Sequence, residues 1–297
     1  MNKRDQESVF IQRRHLWSKL ARLLTPVVAL VGPHLHADDR DASPQSLDRS
    51  FWNEIPASPS TATPDEIRDG YWRSQFLRVN QAVATSAQSQ VVFFGDSITL
   101  RWSMLKAEGK AVWEEQFAKY NPINMGNSGD ITPVMLYRVK HGNLDFARGE
   151  EPRVAVLLCG TNNYVVTQSD GGNVKWDLGI ETPPVEVAHG VRAIAQEFRR
   201  RLPNTRVILL GILPVKDQAK WIKCQETNRI NASYQYSKDE VVFLDLQDHF
   251  LNIDGSLKAD LFVDGTHLSP KGYAVLASEL APVIERLIEL GSAEASQ

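Results

Sequence analysis

Four short segments of the sequence combine small and polar residue types that could perform chemistry. They read Gly-Asp-Ser-Ile-Thr at 95–99, Gly-Asn-Ser-Gly-Asp at 126–130, Gly-Thr-Asn-Asn at 160–163 and Asp-Gly-Thr-His at 264–267. Acyl transfer needs a nucleophile, a base, a group that orients the base, and donors for an oxyanion. These segments contain a serine, a histidine, an aspartate and several N–H donors. Each segment taken singly also fits a helix cap or a tight turn, so the interpretation depends on their being brought together.

Other chemistries fit these residues less well. Zinc needs three or four ligands at identifiable spacing, and Asp264 and His267 have no third partner nearby in the sequence. A flavodoxin-like phosphate or cofactor binder using segment 126–129 would want a phosphate-cradling loop after the first strand. Segment 95–99 is not such a loop, and Asp96 would repel a phosphate. Cys159 falls in a predicted buried strand, where cysteine behaves as a small apolar residue. We therefore expect no metal and no cofactor.

Strands and helices alternate along the part of the chain that must position these segments. Short β-branched and apolar runs predict buried strands, and apolar residues three to four apart predict helices. The predicted strands are 91–94, 123–125, 154–159, 206–211 and 241–245. The predicted helices are 65–84, about 100–120, 134–141, 184–201, 222–236 and 270–290.

This alternation predicts an α/β fold, a three-layer α/β/α sandwich around a central five-stranded parallel sheet. Ligands of open parallel sheets bind outside the carboxyl ends of the strands. Three of the four segments directly follow a predicted strand, and the fourth precedes the last helix. All four are therefore expected at one edge of the sheet.

The four segments together resemble the signature blocks of the SGNH, or GDSL-type, esterase and lipase superfamily, which has a flavodoxin-like fold. The resemblance covers roughly residues 90–290. The residues of these segments are most similar to those of the branch that contains the platelet-activating-factor acetylhydrolase catalytic subunits and bacterial acetyl esterases. The nucleophile would lie in Gly-Asp-Ser and not in a Gly-x-Ser-x-Gly elbow, unlike an α/β-hydrolase.

The resemblance implies a role for each signature residue. Ser97 would be the nucleophile, His267 the general base, and Asp264 the group that orients His267. The backbone N–H groups of Ser97 and Gly129 and the side-chain amide of Asn162 would form the oxyanion hole. Asp96 and Asp130 are expected to support their loops.

Substrate choice is less well marked in the sequence. Trp102, Tyr164 and Trp176 are candidate substrate-binding residues, although Trp102 could equally pack its helix. The long connection 164–183 is a candidate specificity loop. We expect a serine esterase that hydrolyses short-chain, acetyl esters on carbohydrate. A lipase, lysophospholipase or thioesterase of the same fold, and a non-catalytic glycan-binding protein, are the alternatives.

The N-terminal region differs in composition from the rest. Basic residues, a short apolar stretch and a small residue before Asp38 predict an export signal at 1–37, and the apolar stretch is too short to span a membrane. Segment 38–64 is predicted as a linker or arm, 65–291 as the hydrolase domain and 292–297 as a tail. The protein is thus expected to be periplasmic or extracellular, without a stable membrane anchor.

Composition and charge narrow the classes of partner that we expect for this protein. The formal net charge of −3 gives no basic excess for nucleic acid, so a small-molecule or glycan ester is the expected partner. The oligomeric state and any pairing of Cys159 with Cys224 are left open by the sequence.

Overall fold

Five short runs rich in β-branched and aliphatic residues form a wholly parallel sheet, as predicted. In this computed structural model, residues 70–294 are described except 105, 165–181, 235 and 237–239. The strands are β1 (Val91–Gly95), β2 (Ile123–Gly126), β3 (Val154–Leu158), β4 (Arg206–Leu210) and β5 (Val241–Leu244), in the order β2-β1-β3-β4-β5. Every residue of β1 to β4 is buried, which explains the continuous apolar runs.

Helices cover both faces of the sheet. They are α1 (Tyr71–Thr85), α2 (Ser97–Ser103), α3 (Lys110–Phe117), α4 (Thr132–Lys140), α5 (Pro184–Arg201), α6 (Gln218–Ala232), α7 (Gln247–Phe250) and α8 (Pro270–Glu294). One core cluster joins α1, α4, α5 and α6 to the face of β1 that bears Phe94. A second joins α2, α3, α7 and α8 to the face that bears Phe93. The predicted three-layer α/β/α fold is confirmed.

The helix expected at about 100–120 is two helices. α2 begins at Ser97, directly at the end of β1, and ends at Ser103. The chain then turns through Lys106 and Ala107, both with positive φ, before α3 begins at Lys110. Gly109 lies in this turn, where a side chain would collide with Trp102 and Tyr273. The apolar period of 100–120 continues across the break because both helices pack on the same face of the sheet.

Other helix boundaries differ by a few residues from the predicted ones. α6 begins at Gln218 and not at 222, since the side chain of Asp217 caps it by accepting a hydrogen bond from the Lys220 N–H at 2.8 Å. α8 continues to Glu294, into the segment predicted as a tail. The predicted export signal at 1–37 and the linker at 38–64 lie outside the described residues. Within the described part of the chain, no helix is both long and apolar enough to cross a membrane.

Candidate active site

Strand register brings the loops that carry three of the four segments to one level. Gly95 at the end of β1 pairs with Gly126 of β2 on one side and with Leu158 of β3 on the other. Both glycines are required by close packing, because a Cβ on either would lie 2.2 Å from atoms of α2. The loops after these three strands therefore leave the sheet side by side at its carboxyl edge.

Ser97 and His267 meet at this edge, although 170 residues separate them. Ser97 is the first residue of α2, and Asp96 caps that helix by accepting a hydrogen bond from the Ile98 N–H at 2.9 Å. Ser97 Oγ lies 2.9 Å from His267 Nε2. The hydroxyl thus lies at the N-terminus of a helix, where the helix dipole favours negative charge.

Asp264 holds the other side of the His267 ring. Its Oδ2 lies 2.7 Å from His267 Nδ1, and its Oδ1 accepts the backbone N–H groups of Thr266 at 3.1 Å and His267 at 2.8 Å. Burial alone would raise the pKa of Asp264, but the hydrogen bonds from His267 and Thr266 outweigh it and lower the pKa to about 2. Asp264 is therefore a carboxylate at neutral pH, fixed in place by the turn that also carries His267.

The structure places Asn162 between two buried aspartates. Its Nδ2 donates to the backbone carbonyl of Asp130 at 3.1 Å and faces Asp96 Oδ2 at 3.4 Å. Burial raises the pKa of Asp96, and the Ile98 N–H, the charges of His267 and Lys220 and a hydrogen bond from Thr161 oppose that rise. The bonds made by Asp96 are those of a helix cap and a loop support.

Gly129 adopts a left-handed φ of 78° beside this cluster, which glycine alone adopts without strain. A Cβ at this position would lie 3.1 Å from Cζ2 of Trp72, a half-buried residue of α1. The bare backbone of Gly129 is thus covered by an indole ring that the sequence analysis did not single out. Helix α1 is held there by Arg78, which donates to the carbonyl of Gly126 at 2.8 Å.

A fully buried ion pair supports the Gly129 loop from below. The guanidinium of Arg138 contacts the Asp130 carboxylate and the Met125 carbonyl, and its Nε donates to Asn143 Oδ1 at 2.9 Å. Burial raises the pKa of Asp130 to about 7, against the opposing charge and hydrogen bond of Arg138. Asp130 therefore supports the loop, as the sequence analysis expected.

Arg101 and Glu108 were missed by the sequence analysis. Arg101 lies one helical turn after Ser97 and is 5% exposed. Its Nε donates to Glu108 Oε2 at 3.0 Å, a second contact joins its Nη2 to Glu108 Oε1, and its Nη1 lies 3.6 Å from Asp264 Oδ2. The available signal in the sequence was an arginine four residues after Ser97, on the same predicted turn.

Two of the three predicted substrate-binding aromatics, Trp102 and Tyr164, are buried in the core. Trp102 is 2% exposed and packs among Phe93, Phe117 and Tyr273, so the helix-packing alternative applies. Tyr164 is 1% exposed, with its hydroxyl 2.5 Å from Thr227 Oγ1. Both rings are used by the core. Trp176 and most of the 164–183 connection lie outside the described residues.

The two cysteines lie in the core. Cys159 and Cys224 are both buried and are free thiols, and burial raises the pKa of each thiol. Neither is a nucleophile at neutral pH, since the thiolate is the reactive form. Among the described residues, no group of three or more His, Cys, Asp or Glu side chains is placed to hold a metal ion.

A cavity of about 540 Å³ opens beside Asp264. Its wall comes from the loop that enters α6 and from the segment 251–265 that leads to His267. The lining is mixed: Trp221, Phe262 and Val263 are apolar, whereas Lys216 and Gln218 are polar. The cavity could receive the part of a substrate that extends past the His267 side of the site.

Comparisons with known proteins find sequences similar to this chain. The sequence model of the GDSL-like Lipase/Acylhydrolase family matches residues 93–275. The chain is 28% identical over 239 residues to platelet-activating factor acetylhydrolase IB subunit alpha1 of Bos taurus, covering 80% of this chain and 92% of that protein. It is 29% identical over 237 residues to subunit alpha2 of Rattus norvegicus, covering 79% and 92%.

Solved structures share the fold. A GDSL-like lipase from Bacteroides thetaiotaomicron superposes with a TM-score of 0.53 at 21% identity, over 72% of this chain and 97% of that chain. A member of the lipolytic protein G-D-S-L family from Veillonella parvula gives a TM-score of 0.50 at 17% identity, over 66% and 98%.

Proposed function

The chain belongs to the GDSL-like lipase/acylhydrolase family and is an ester hydrolase, and from this premise we propose that it removes acetyl groups from carbohydrate esters outside the cytoplasm. The proposed catalytic groups are Ser97, His267 and Asp264. The observation that carries this proposal is the unbroken line of contacts from Ser97 Oγ through the imidazole ring to the Asp264 carboxylate, at 2.9 and 2.7 Å.

In the proposed reaction, Ser97 Oγ attacks the ester carbonyl and its proton passes to His267 Nε2. The imidazolium is stabilised by Asp264, whose Oδ2 accepts the Nδ1–H. The bond from the carbonyl carbon to the alcohol then breaks, and the alcohol leaves with the proton from Nε2. A water molecule, deprotonated by the same nitrogen, attacks the acetyl-Ser97 ester, and acetate leaves as the proton returns to Ser97.

The oxyanion is proposed to bind to the N–H groups of Ser97 and Gly129 and to the Asn162 amide. The Asn162 amide donates well to the Asp130 carbonyl at 3.1 Å, whereas its contact with Asp96 is long at 3.4 Å. The amide hydrogen with the weaker partner is the one that a substrate oxygen would take.

The acetyl group is supported by the named activity of the relatives, which are acetylhydrolases. The carbohydrate is supported by the mixed polar and apolar lining of the cavity beside Asp264 and by the export signal predicted at 1–37. Export itself is tested by the mass of the mature protein in culture fractions, where a chain that begins near Asp38 outside the cytoplasm is expected.

Hydrolysis of p-nitrophenyl acetate, butyrate and octanoate tests the esterase assignment, with Ser97→Ala as the control. Activity that falls with acyl length and is lost in the variant is expected. Equal activity in Ser97→Ala and wild type would show that another group is the nucleophile.

The alcohol part of the substrate is tested separately. Val263→Trp would fill the cavity, so we expect kcat/KM for an acetylated oligosaccharide to fall about tenfold, a change of about 1.4 kcal/mol. The p-nitrophenyl acetate rate should stay near that of the wild type. Equal losses of kcat/KM on both substrates would show that the cavity does not bind the alcohol part of the substrate.

A lipid ester is the second candidate. Val263, which lines the cavity, is 47% exposed. Ile253 does not line the cavity, but it is fully exposed in the turn between the lining residues Leu251 and Gly255. Exposed apolar groups beside a site can mark contact with an apolar ligand. A preference for octanoate over acetate would favour this candidate.

A further inference from the structure

A buried cation lies directly behind the proposed triad acid. The side chain of Arg101 is 6% exposed and that of its partner Glu108 is 14% exposed. A buried arginine is costly unless it is paired and hydrogen-bonded. Glu108 supplies two contacts, and the third direction of the guanidinium points to Asp264, with Nη1 3.6 Å from Oδ2.

The oxygen that Arg101 approaches is the one that binds His267. Asp264 Oδ2 is 2.7 Å from His267 Nδ1 and 3.6 Å from Arg101 Nη1. The two nitrogens therefore cannot be farther apart than the sum of these distances, about 6.3 Å. Two charges at such a distance interact, and solvent weakens the interaction on the Asp264 side, where the side chain is 49% exposed, against 6% for Arg101.

We propose that Arg101 is a positioning residue for the Asp264–His267 pair, and that Glu108 sets how much of its positive charge the pair experiences. This inference rests on the proposed function, in which His267 is the base. Arg101 would hold the Asp264 carboxylate toward Nδ1 and oppose the formation of the imidazolium. Glu108 would weaken that opposition by acting as the counter-ion of Arg101.

The charges on the two residues support this arrangement. The Glu108 hydrogen bond raises the pKa of Arg101, with burial opposing and the charges of Glu108 and Asp264 adding to the rise. The same hydrogen bond lowers the pKa of Glu108. Both groups are therefore ionised throughout the range in which a histidine titrates.

Other charged groups near His267 are accounted for. Besides Asp264, the carboxylate of Asp96 lies on the β1 side and interacts with His267, and Lys220 of α6 interacts in turn with Asp96. Lys216 lines the cavity on the far side of Asp264. None of these groups contacts Arg101 or Glu108 in the described structure. The groups that do interact with the pair, besides Asp264, are Tyr273, which faces both residues, and Lys106 beside Glu108.

Opposite shifts of the pH profile are the signature of this role. The acid limb of kcat/KM reports the pKa of the base in the free enzyme. Arg101→Met removes a cation and leaves Glu108 unpaired, so the limb should move up by about half a unit to one unit. Glu108→Gln leaves Arg101 without its counter-ion, so the limb should move down by a similar amount. The double variant should lie between the two.

The rate should change in a characteristic way. For p-nitrophenyl acetate, Arg101→Met should lower kcat about 10-fold to 100-fold with KM little changed, because misplacement of the base affects the transition state. Arg101→Lys keeps the positive charge but lacks the two-pronged guanidinium group. It should therefore restore the acid limb of the kcat/KM profile to its wild-type position and restore only part of kcat.

NMR titration of the His267 ring makes the test independent of turnover and of folding losses. The Ser97→Ala background keeps the ring while removing catalysis, and thermal unfolding of each variant reports whether it is folded at the assay temperature. Shifts of the His267 pKa in opposite directions support the proposal. Shifts in the same direction, or equal losses of rate with no shift, would overturn it. If wild type lacked esterase activity but the ring shifts were found, the proposed function alone would fail.

Discussion

Replacing Asp264 by asparagine should disable the base while leaving its turn intact. Oδ1 of the new side chain can still accept hydrogen bonds from the backbone N–H groups of Thr266 and His267, which lie 3.1 and 2.8 Å from Oδ1 of Asp264 in the wild type. The amide nitrogen would take the place of Oδ2 and face His267 Nδ1 as a donor. Nδ1 must then be the acceptor, so the proton moves to Nε2 and points at Ser97, which can no longer lose its own proton there.

The size of the effect follows from that tautomer. In a Ser-His-Asp site the change costs about 10⁴ in kcat, which is about 5.5 kcal/mol of transition-state stabilisation at 1.36 kcal/mol per tenfold. KM for p-nitrophenyl acetate should change little, since substrate contacts are retained. Asp264→Asn keeps the two backbone hydrogen bonds and should lose only the contribution of the carboxylate charge to stability, whereas Asp264→Ala loses all three hydrogen bonds of the side chain, worth about 1 kcal/mol each.

Steady-state kinetics and thermal unfolding of Asp264→Asn and Asp264→Ala measure the expected losses of activity and of stability. Ser97→Ala gives the activity floor that remains without a nucleophile. An Asp264→Asn enzyme within tenfold of wild type would refute the reasoning, because His267 would then be oriented by some group other than this carboxylate.

Three further predictions concern the surroundings of the site. Asn162→Ala should lower kcat by about 10²–10³ through loss of an oxyanion donor, measured with p-nitrophenyl acetate; a loss confined to KM would contradict that role. Arg138→Met should destabilise the fold by about 3–5 kcal/mol in urea unfolding because it leaves Asp130 buried without its partner. Lys119→Met, which breaks an exposed pair with Glu285, should change the stability far less, because solvent screens an exposed ion pair. Because the pKa of Asp264 is lowered to about 2, its carboxylate stabilises the fold at neutral pH, and that contribution is lost as pH falls from about 4 through 2. Asp264→Asn should therefore lose less stability than wild type over that range, and a parallel decline in both would contradict the shift.

The sequence by itself determined the sheet and which candidate residues meet at its edge. Strands β1 to β4 are buried on both faces, so their apolar runs needed no tertiary information to be recognised. The parallel alternation with helices then placed the loops after β1, β2 and β3 at one edge. Ser97, Gly129 and Asn162 lie in those loops, and the three-residue spacing of Asp264 and His267 put both on one turn.

Helix boundaries were less well determined. The apolar pattern of 100–120 is continuous because α2 and α3 pack on the same face of the sheet. Only the turn with positive φ at Lys106 and Ala107 separates the two helices. A hydrophobic period records which face is buried, and it does not record a break between two segments that share that face.

Only the tertiary structure decided which aromatic and charged side chains border the site. Trp102 is close to Ser97 in sequence but points into the core, whereas Trp72 is distant in sequence and covers Gly129. Arg101 reaches Asp264 because α8 and its preceding turn pack beside α2. These contacts join residues far apart along the chain, and their direction depends on how helices pack on the sheet. A local sequence pattern carries neither kind of information.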